Sequence, residues 1–223
     1  MKVIKAMALV AVFFAATAFI TKPEKGATGE FYVEYDVTFE SDDPQMEQAM
    51  PFLAGSMMKI AKNSKYTKTI FKTGTVSTST TTVDNKSRKG ISVTESMMGN
   101  FYTMLDGEDD GEDAEVDIEK TTETKDILGF KCTKYIVTGG KGGDIEMWST
   151  TEIDGEFTSK LVPKSGKMEG FPLQITVETE QMTISFIAKD FKKEVPSSEE
   201  FSLKPPKGYD EKTAEDLQKM GGM

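Results

Sequence analysis

The stretch EFYVEYDVTF, residues 30–39, decides the fold class of this 223-residue chain. Apolar side chains occupy every second position of the stretch, namely Phe31, Val33, Tyr35, Val37 and Phe39. Successive side chains of a strand point to opposite sides, so a period of two places these five on one face. The stretch therefore predicts a β-strand with one apolar face on a core and one polar face.

Further strand-like runs follow, each bounded by turn residues such as Asn63, Gly74 or the glycines of residues 139–143. They cover residues 56–62, 65–73, 75–83, 88–95, 100–105, 118–125, 131–138, 144–150, 171–178 and 182–188. An antiparallel sheet of about ten strands usually curls. The sequence thus predicts a mainly β domain over residues 30–207, built as a curved antiparallel sheet or half-barrel of about ten strands.

Two short helices are expected beside the sheet. After Asp42 and Asp43, apolar residues recur at spacings of three and four, which predicts one amphipathic helix from Pro44 to Leu53 that covers the sheet. Pro51 should end or kink this helix. A short polar helix or tail is expected in residues 208–223, with the helix near residues 211–220.

The N-terminus has the pattern of a secretory signal. Lys2 and Lys5 precede an uncharged apolar run over residues 6–20, and small residues stand at Ala16 and Ala18. A 15-residue helix would reach about 22 Å, short of a roughly 30 Å hydrocarbon core. Residues 1–18 are therefore predicted to be a cleaved signal peptide, and residues 19–29 a flexible lead-in. The mature protein is expected to be exported, periplasmic or secreted, soluble, and not an integral membrane protein.

Composition limits the chemistry. Removal of residues 1–18 leaves 25 basic and 37 acidic residues, a formal charge of −12, which disfavours nucleic acid and anionic membranes as partners. The sequence contains no histidine, which excludes Ser-His-Asp and Cys-His nucleophiles and imidazole metal sites. Cys132 is the single cysteine and forms no intramolecular disulfide. It is either a thiol activated by neighbouring lysines or, as we favour, a buried core residue.

An acidic segment interrupts the strands at residues 106–117, where eight of twelve positions are Asp or Glu. Four acidic residues match positions of a calcium-binding loop: Asp106, Glu108, Asp110 and Asp117. Asp113 stands where such loops carry an apolar residue, and no helices flank the segment. A solvated charge run is the preferred interpretation, with a Ca²⁺ site as the alternative and no other cofactor expected.

Methionine is frequent, with twelve residues in the mature chain. Met side chains adapt to varied apolar ligands, although they also pack ordinary cores. The sequence therefore gives two interpretations of its apolar residues, a filled core or a ligand cavity. The candidate lining of such a cavity is Met46, Met50, Leu53, Met58, Trp148, Ile184 and Phe186.

Several segments resemble a family of exported Gram-negative proteins of unknown function. They are ILGFKCTKY at 127–135, EMWST at 146–150, EGFPL at 169–173 and the run from Met58 to Lys86. That family is similar to the LolA-like periplasmic lipoprotein carriers. The resemblance implies a curved sheet covered by helices that holds acyl chains in an apolar hollow, with a lipid or lipoprotein as partner. It assigns no functional residue.

Two functions are expected on these grounds. The first is a non-enzymatic periplasmic module that binds an apolar ligand such as an acyl chain or a lipoprotein. The alternative is a packed structural or interaction protein of the cell envelope, whose acidic segment meets a basic partner or calcium. A carboxylate-based hydrolase is the weakest interpretation, because acid and base roles cannot be assigned from sequence spacing.

Overall fold

The computed structural model describes residues 29–107, 116–139, 143–153, 168–213 and 216–217. Its strands are β1 Phe31–Glu40, β2 Met57–Lys62, β3 Tyr66–Thr73, β4 Ser77–Asp84, β5 Gly90–Ser96, β6 Gly99–Leu105, β7 Asp117–Ile127, β8 Phe130–Thr138, β9 Asp144–Thr150, β10 Phe171–Glu178, β11 Thr183–Lys192 and β12 Asp210–Glu211. Two one-turn helices, α1 Pro44–Glu47 and α2 Met50–Leu53, connect β1 to β2. The fold class is therefore mainly β, as predicted.

All twelve strands form one open sheet in the order β12-β6-β5-β4-β3-β2-β1-β11-β10-β9-β8-β7. Every pairing is antiparallel except that of β12 with β6, which is parallel. Strand β1 lies at the centre and pairs with β2 on one side and β11 on the other. The stretch that predicts the fold class thus becomes the middle of the sheet.

The sheet curls toward the face that carries the apolar side chains of β1. Strands β3 and β11 are three steps apart, which would separate them by about 14 Å in a flat sheet. The rings of Phe71 on β3 and Phe186 on β11 nevertheless lie 6.0 Å apart. Tyr35 on β1 likewise donates a 2.7 Å hydrogen bond to the carbonyl of Pro172 on β10, two strands away. We call this side the concave face.

Helices α1 and α2 replace the single helix predicted from Pro44 to Leu53. Pro51 lies in the first turn of α2, where its missing amide hydrogen is tolerated. In one continuous helix, residue 51 would have to donate a backbone hydrogen bond, which proline cannot do. The first helix therefore ends before Pro51, and a second helix begins at Met50. Ala49 and Leu53 are buried against the concave face, so the covering role predicted for this segment is confirmed.

The turn between β3 and β4 is fitted to α2. The amide of Thr75 donates a 2.9 Å hydrogen bond to the carbonyl of Phe52. Gly74 has φ +49°, and a Cβ atom there would collide with that same carbonyl oxygen. The close approach of two backbones therefore requires glycine at this position.

The chain after β11 crosses the opposite, convex face, and we call residues 193–212 the C-terminal strap. Lys68 pairs with Glu199 at 2.9 Å, and the rings of Tyr66 and Phe201 stack at 6.0 Å. The strap ends as β12, which pairs with β6 where a helix was expected to begin. Asp216 and Leu217 are helical, Lys212 and Thr213 are not, and residues 214–215 and 218–220 of the predicted helix lie outside the described residues.

The predicted signal peptide over residues 1–18 also lies outside the described residues and stays a prediction. Among the helices that the structure describes, none is both long and apolar enough to cross a membrane.

Candidate ligand-binding face

Six of the seven candidate lining residues come together on the concave face. Met58 of β2 and Ile184 and Phe186 of β11 form its floor, and Met46 and Leu53 lie above them on α1 and α2. Met50 packs against the same cluster and is half-buried. The fully buried side chains fill the space between the helices and the sheet, since Met58 and Phe186 are 0% and 1% exposed.

Trp148 belongs to the same buried cluster but has polar neighbours in the sheet. Its register partners are Gln174 on β10 and Lys134 on β8, whereas its chain neighbour Met147 pairs with the inward-facing Ile175. Neighbours along a strand point to opposite sides, so Trp148 lies on the convex face. Trp148 is nevertheless buried in the same hydrophobic cluster as the six, so its place in the lining stays a prediction.

Lysine side chains cover Trp148 on that face. The ammonium of Lys125 lies 3.9 Å from the centre of the indole ring and donates a 2.6 Å hydrogen bond to the Gln174 side chain. Lys134 pairs with Glu146 at 2.9 Å, and Glu146 accepts a hydrogen bond from the indole nitrogen. Burial lowers the pKa of Lys125. The arrangement is a cation–π cluster that shields an indole from water.

Cys132 is a buried free thiol, which supports the core interpretation. Burial raises its pKa to about 11, an effect that the nearby Lys125 ammonium opposes only in part. The thiol is therefore protonated at neutral pH, whereas a reactive cysteine needs its thiolate.

The acidic segment is described only at its ends. Asp106 and Asp117 are included, whereas Glu108 and Asp110 lie outside the described residues. Within the described ranges, no three Cys, Asp or Glu side chains are grouped so as to hold a metal ion. Calcium binding by the segment stays a prediction.

Two features of the concave face were missed from the sequence. The half formed by β3–β6 is rich in hydroxyl groups, because the register aligns Thr69 with Thr81 and Thr81 with Ser92. The second feature is Lys62, whose side chain enters the concave face beside Phe31 and is 3% exposed. Its ammonium lies 5.9 Å from the centre of the Phe31 ring. The alternation that buries Met58 and Ile60 on β2 continues to Lys62, so a signal for this position was present.

The fold and the helix-covered face define an open, curved antiparallel-sheet protein. The sequence matches no protein-family model and no curated protein. Among solved structures, PNGF-II superposes with a TM-score of 0.53 at 17% identity, over 86% of this chain and 33% of that one. This similarity concerns the fold alone, and the chain spans about a third of the length of PNGF-II.

Two other solved structures have lower scores. LprF from Mycobacterium bovis has a TM-score of 0.27 at 13% identity, covering 93% of this chain and 97% of that one. A LolA superfamily protein from Nitrosomonas europaea has a TM-score of 0.21 at 10% identity, covering 74% and 86%. At these scores the likeness carries no argument about function.

Proposed function

We propose that this protein is a non-enzymatic module that binds an apolar chain, such as the acyl chain of a lipid or lipoprotein, beneath α1 and α2. The supporting observation is that Met46 and Leu53 fill the space above the apolar floor of the concave face. Movement of the two helices would withdraw these side chains and leave a slot lined by Met58, Ile184 and Phe186. The ligand would then replace protein contacts with its own.

The attachment of the helices suits such movement. Each has four residues, a length at which a helix has little stability of its own and depends on tertiary packing. The links described above at α2 are backbone contacts to the β3–β4 turn. The other attachment is the burial of Met46, Ala49 and Leu53, so opening would expose these three side chains and leave the sheet itself paired. The helix pair would therefore act as a cover over the apolar floor.

Exposed apolar side chains border this cover. Phe52 of α2 is 42% exposed, and Met97 and Met98, in the β5–β6 turn, are 73% and 62% exposed. A 3.3 Å hydrogen bond from the amide of Met97 to the carbonyl of Val76 joins the β5–β6 turn to the β3–β4 turn, which contacts α2. An apolar ligand would meet these side chains first on its way to the concave face.

The proposal assigns no catalysis, and two observations support this. The sequence lacks histidine, and the Cys132 thiol is protonated at neutral pH. The predicted signal at residues 1–18 supports a site of action outside the cytoplasm.

A fluorescent fatty acid, dansyl-undecanoic acid, tests the binding proposal. We expect saturable binding to the delipidated protein and tighter binding to Leu53→Ala, which shortens the side chain that fills the slot. Ile118→Ala is the matched control, because Ile118 is a buried side chain of equal size on β7, away from the helices. No saturable binding by the wild type or by Leu53→Ala would overturn the proposal, as would equal gains in the two variants.

A second candidate is favoured by the dense packing of the same region. Met58 and Phe186 have almost no exposed surface, as expected for a core that stays closed. The protein would then be a packed interaction module of the envelope, and its acidic segment would meet a basic partner or Ca²⁺. Calorimetric titration with CaCl₂ tests the calcium hypothesis. The absence of both binding heat and a change in melting temperature would eliminate it.

A further inference from the structure

One row of inward side chains crosses the sheet at right angles to the strands and changes from apolar to polar along its length. The register pairs Val33 of β1 with Ile60 of β2, and Ile60 with Thr69 of β3. It continues from Thr69 to Thr81 and from Thr81 to Ser92. Directly opposite residues of neighbouring strands share a face. The concave face is therefore apolar on β1 and β2 and lined by hydroxyl groups on β3–β5.

The hydroxyl part of this row is buried and carries no charge. Thr69, Thr81 and Ser92 are 5%, 9% and 8% exposed. The other inward positions of β3–β5 hold threonine, serine, phenylalanine, valine or glycine, none of them ionisable. The inward-facing Lys62 of β2 already interacts within the protein, so it is not assigned to a ligand. A charged head group would lose far more hydration on these strands than an uncharged polar group, so the surface favours an uncharged one.

One hydroxyl of the row has no partner. Thr81 donates a 3.1 Å hydrogen bond to Ser92. Among the described residues, the buried hydroxyls of Thr69 and Thr73 have no hydrogen-bond partner, and of these two Thr69 lies in the row beside Ile60. A buried donor without an acceptor destabilises the folded protein, so an acceptor oxygen supplied by a ligand would relieve that cost.

The Thr69 hydroxyl lies close enough to the apolar floor for one ligand to contact both. Phe71, two residues further along β3, pairs with Met58, so Met58 is the diagonal neighbour of Thr69. Such neighbours are roughly 7–8 Å apart in an antiparallel pair. An acyl chain whose carbonyl is held at Thr69 would therefore pass Ile60 and reach Met58, beneath α1 and α2.

From this arrangement we infer that the ligand is an uncharged acyl ester of glycerol. Its ester carbonyl accepts a hydrogen bond from Thr69, and its glycerol oxygens lie toward Thr81 and Ser92. Its acyl tail follows Ile60 and Met58 toward the helices. The inference rests on the proposed function, because it specifies the chemical class of the ligand that the same concave face takes.

The test compares 1-lauroylglycerol with 1-O-dodecylglycerol, which has the same tail and glycerol but an ether in place of the ester. Each displaces bound dansyl-undecanoic acid from the protein. We expect the wild type to bind the ester about three- to tenfold more tightly than the ether, the size of one hydrogen bond. Thr69→Val should bind the two lipids equally, whereas Thr69→Ser, which keeps a hydroxyl, should retain the preference.

Thr80→Val is the matched control. Thr80 precedes Thr81 on β4 and so points to the convex face, where it is half-buried. This variant should keep the preference for the ester. Without ligand, Thr69→Val should melt roughly 2–4 °C above the wild type, because it removes a buried donor that lacks an acceptor.

The outcomes separate this inference from the proposed function. Equal affinity of the wild type for ester and ether, or displacement by neither, overturns the inference and leaves binding of the dansyl acid standing. No binding of the dansyl acid or of either lipid overturns both. A preference that persists in Thr69→Val, or destabilisation of that variant, would refute the role of Thr69. The wild-type comparison needs no variant to fold. Competition with 1,2-dilauroylglycerol and with a peptide that carries diacylglyceryl-cysteine then tells a free lipid from a lipoprotein.

Discussion

Replacement of Gly74 by alanine tests how α2 is held against the sheet. Gly74 has φ +49°, and an alanine there would bring its Cβ to 2.8 Å from Cα of Leu53 and into collision with the carbonyl oxygen of Phe52. Both obstacles are backbone atoms of α2, which cannot yield as a flexible side chain would. Either the turn or the helix must move.

The magnitude has two parts. The left-handed backbone conformation costs a non-glycine residue about 1 kcal/mol. Forcing an extra methyl group into a packed contact costs a further 1–3 kcal/mol or so. Gly74→Ala should therefore lower the free energy of unfolding by about 3 kcal/mol.

Gly55→Ala separates the two parts. Gly55 also has positive φ, at +74°, but a Cβ atom there meets nothing within 4 Å. This variant should lose about 1 kcal/mol, from the backbone term alone. With a urea m-value of about 2–3 kcal/mol/M, the midpoint for Gly74→Ala should lie roughly 1 M below that for Gly55→Ala.

Urea unfolding followed by circular dichroism makes the comparison. Equal midpoints for the two alanine variants would show that the β3–β4 turn does not bear on α2 as described. The same experiment bears on the cover. If α2 must lift for ligand to enter, Gly74→Ala should also bind dansyl-undecanoic acid more tightly than Gly55→Ala does.

Three further outcomes are expected. Burial raises the pKa of Glu34, but hydrogen bonds from Lys189 and Tyr32 outweigh that effect and lower it overall. The stability that this carboxylate contributes is therefore present above pH 4.5 or so and is lost as the pH falls toward the lowered pKa. In Glu34→Gln the melting temperature should fall less steeply as the pH is lowered through this range. An unchanged pH dependence of the melting temperature would refute the assignment. Cys132 should react with iodoacetamide far more slowly at pH 7.5 in the native protein than in urea, and equal rates measured by mass spectrometry would contradict its burial. Glu199→Gln should release the C-terminal strap, because it leaves Lys68 without its 2.9 Å partner; proteolysis within residues 193–212 should then become faster, and an unchanged rate would count against the anchoring role.

The long strands were predictable because alternation is a local property. The alternation in residues 30–39 predicts β1. The Ser/Thr-rich run of residues 75–83 also predicts β4 to within two residues, since threonine is common in strands. Strand β12 was not predictable, because two residues carry no period and its pairing with β6 depends on backbone hydrogen bonds alone.

The candidate site was predictable in part. Hydrophobicity selected Met58, Ile184 and Phe186 correctly as neighbours on one face. It also selected Trp148, which is buried in the same cluster, but it did not predict the hydrogen bond from the indole nitrogen to Glu146. Predicting the contact between Phe71 and Phe186 requires the strand order, in which β1 lies between β2 and β11. No local sequence pattern contains that order.

The central position of β1 also dictates when this sheet can be completed. Consecutive strands pair with each other from β1 to β6 and from β7 to β11, whereas the pairing of β1 with β11 joins residues some 150 positions apart in the chain. Contacts of such long range are slow to form, because the entropy of a large loop is lost before the pairing rewards it. A growing chain would hold one side of β1 unpaired until residues 183–192 had followed. During that interval its free backbone edge invites association with other chains, so a holding chaperone would matter more for this protein than for a simple meander.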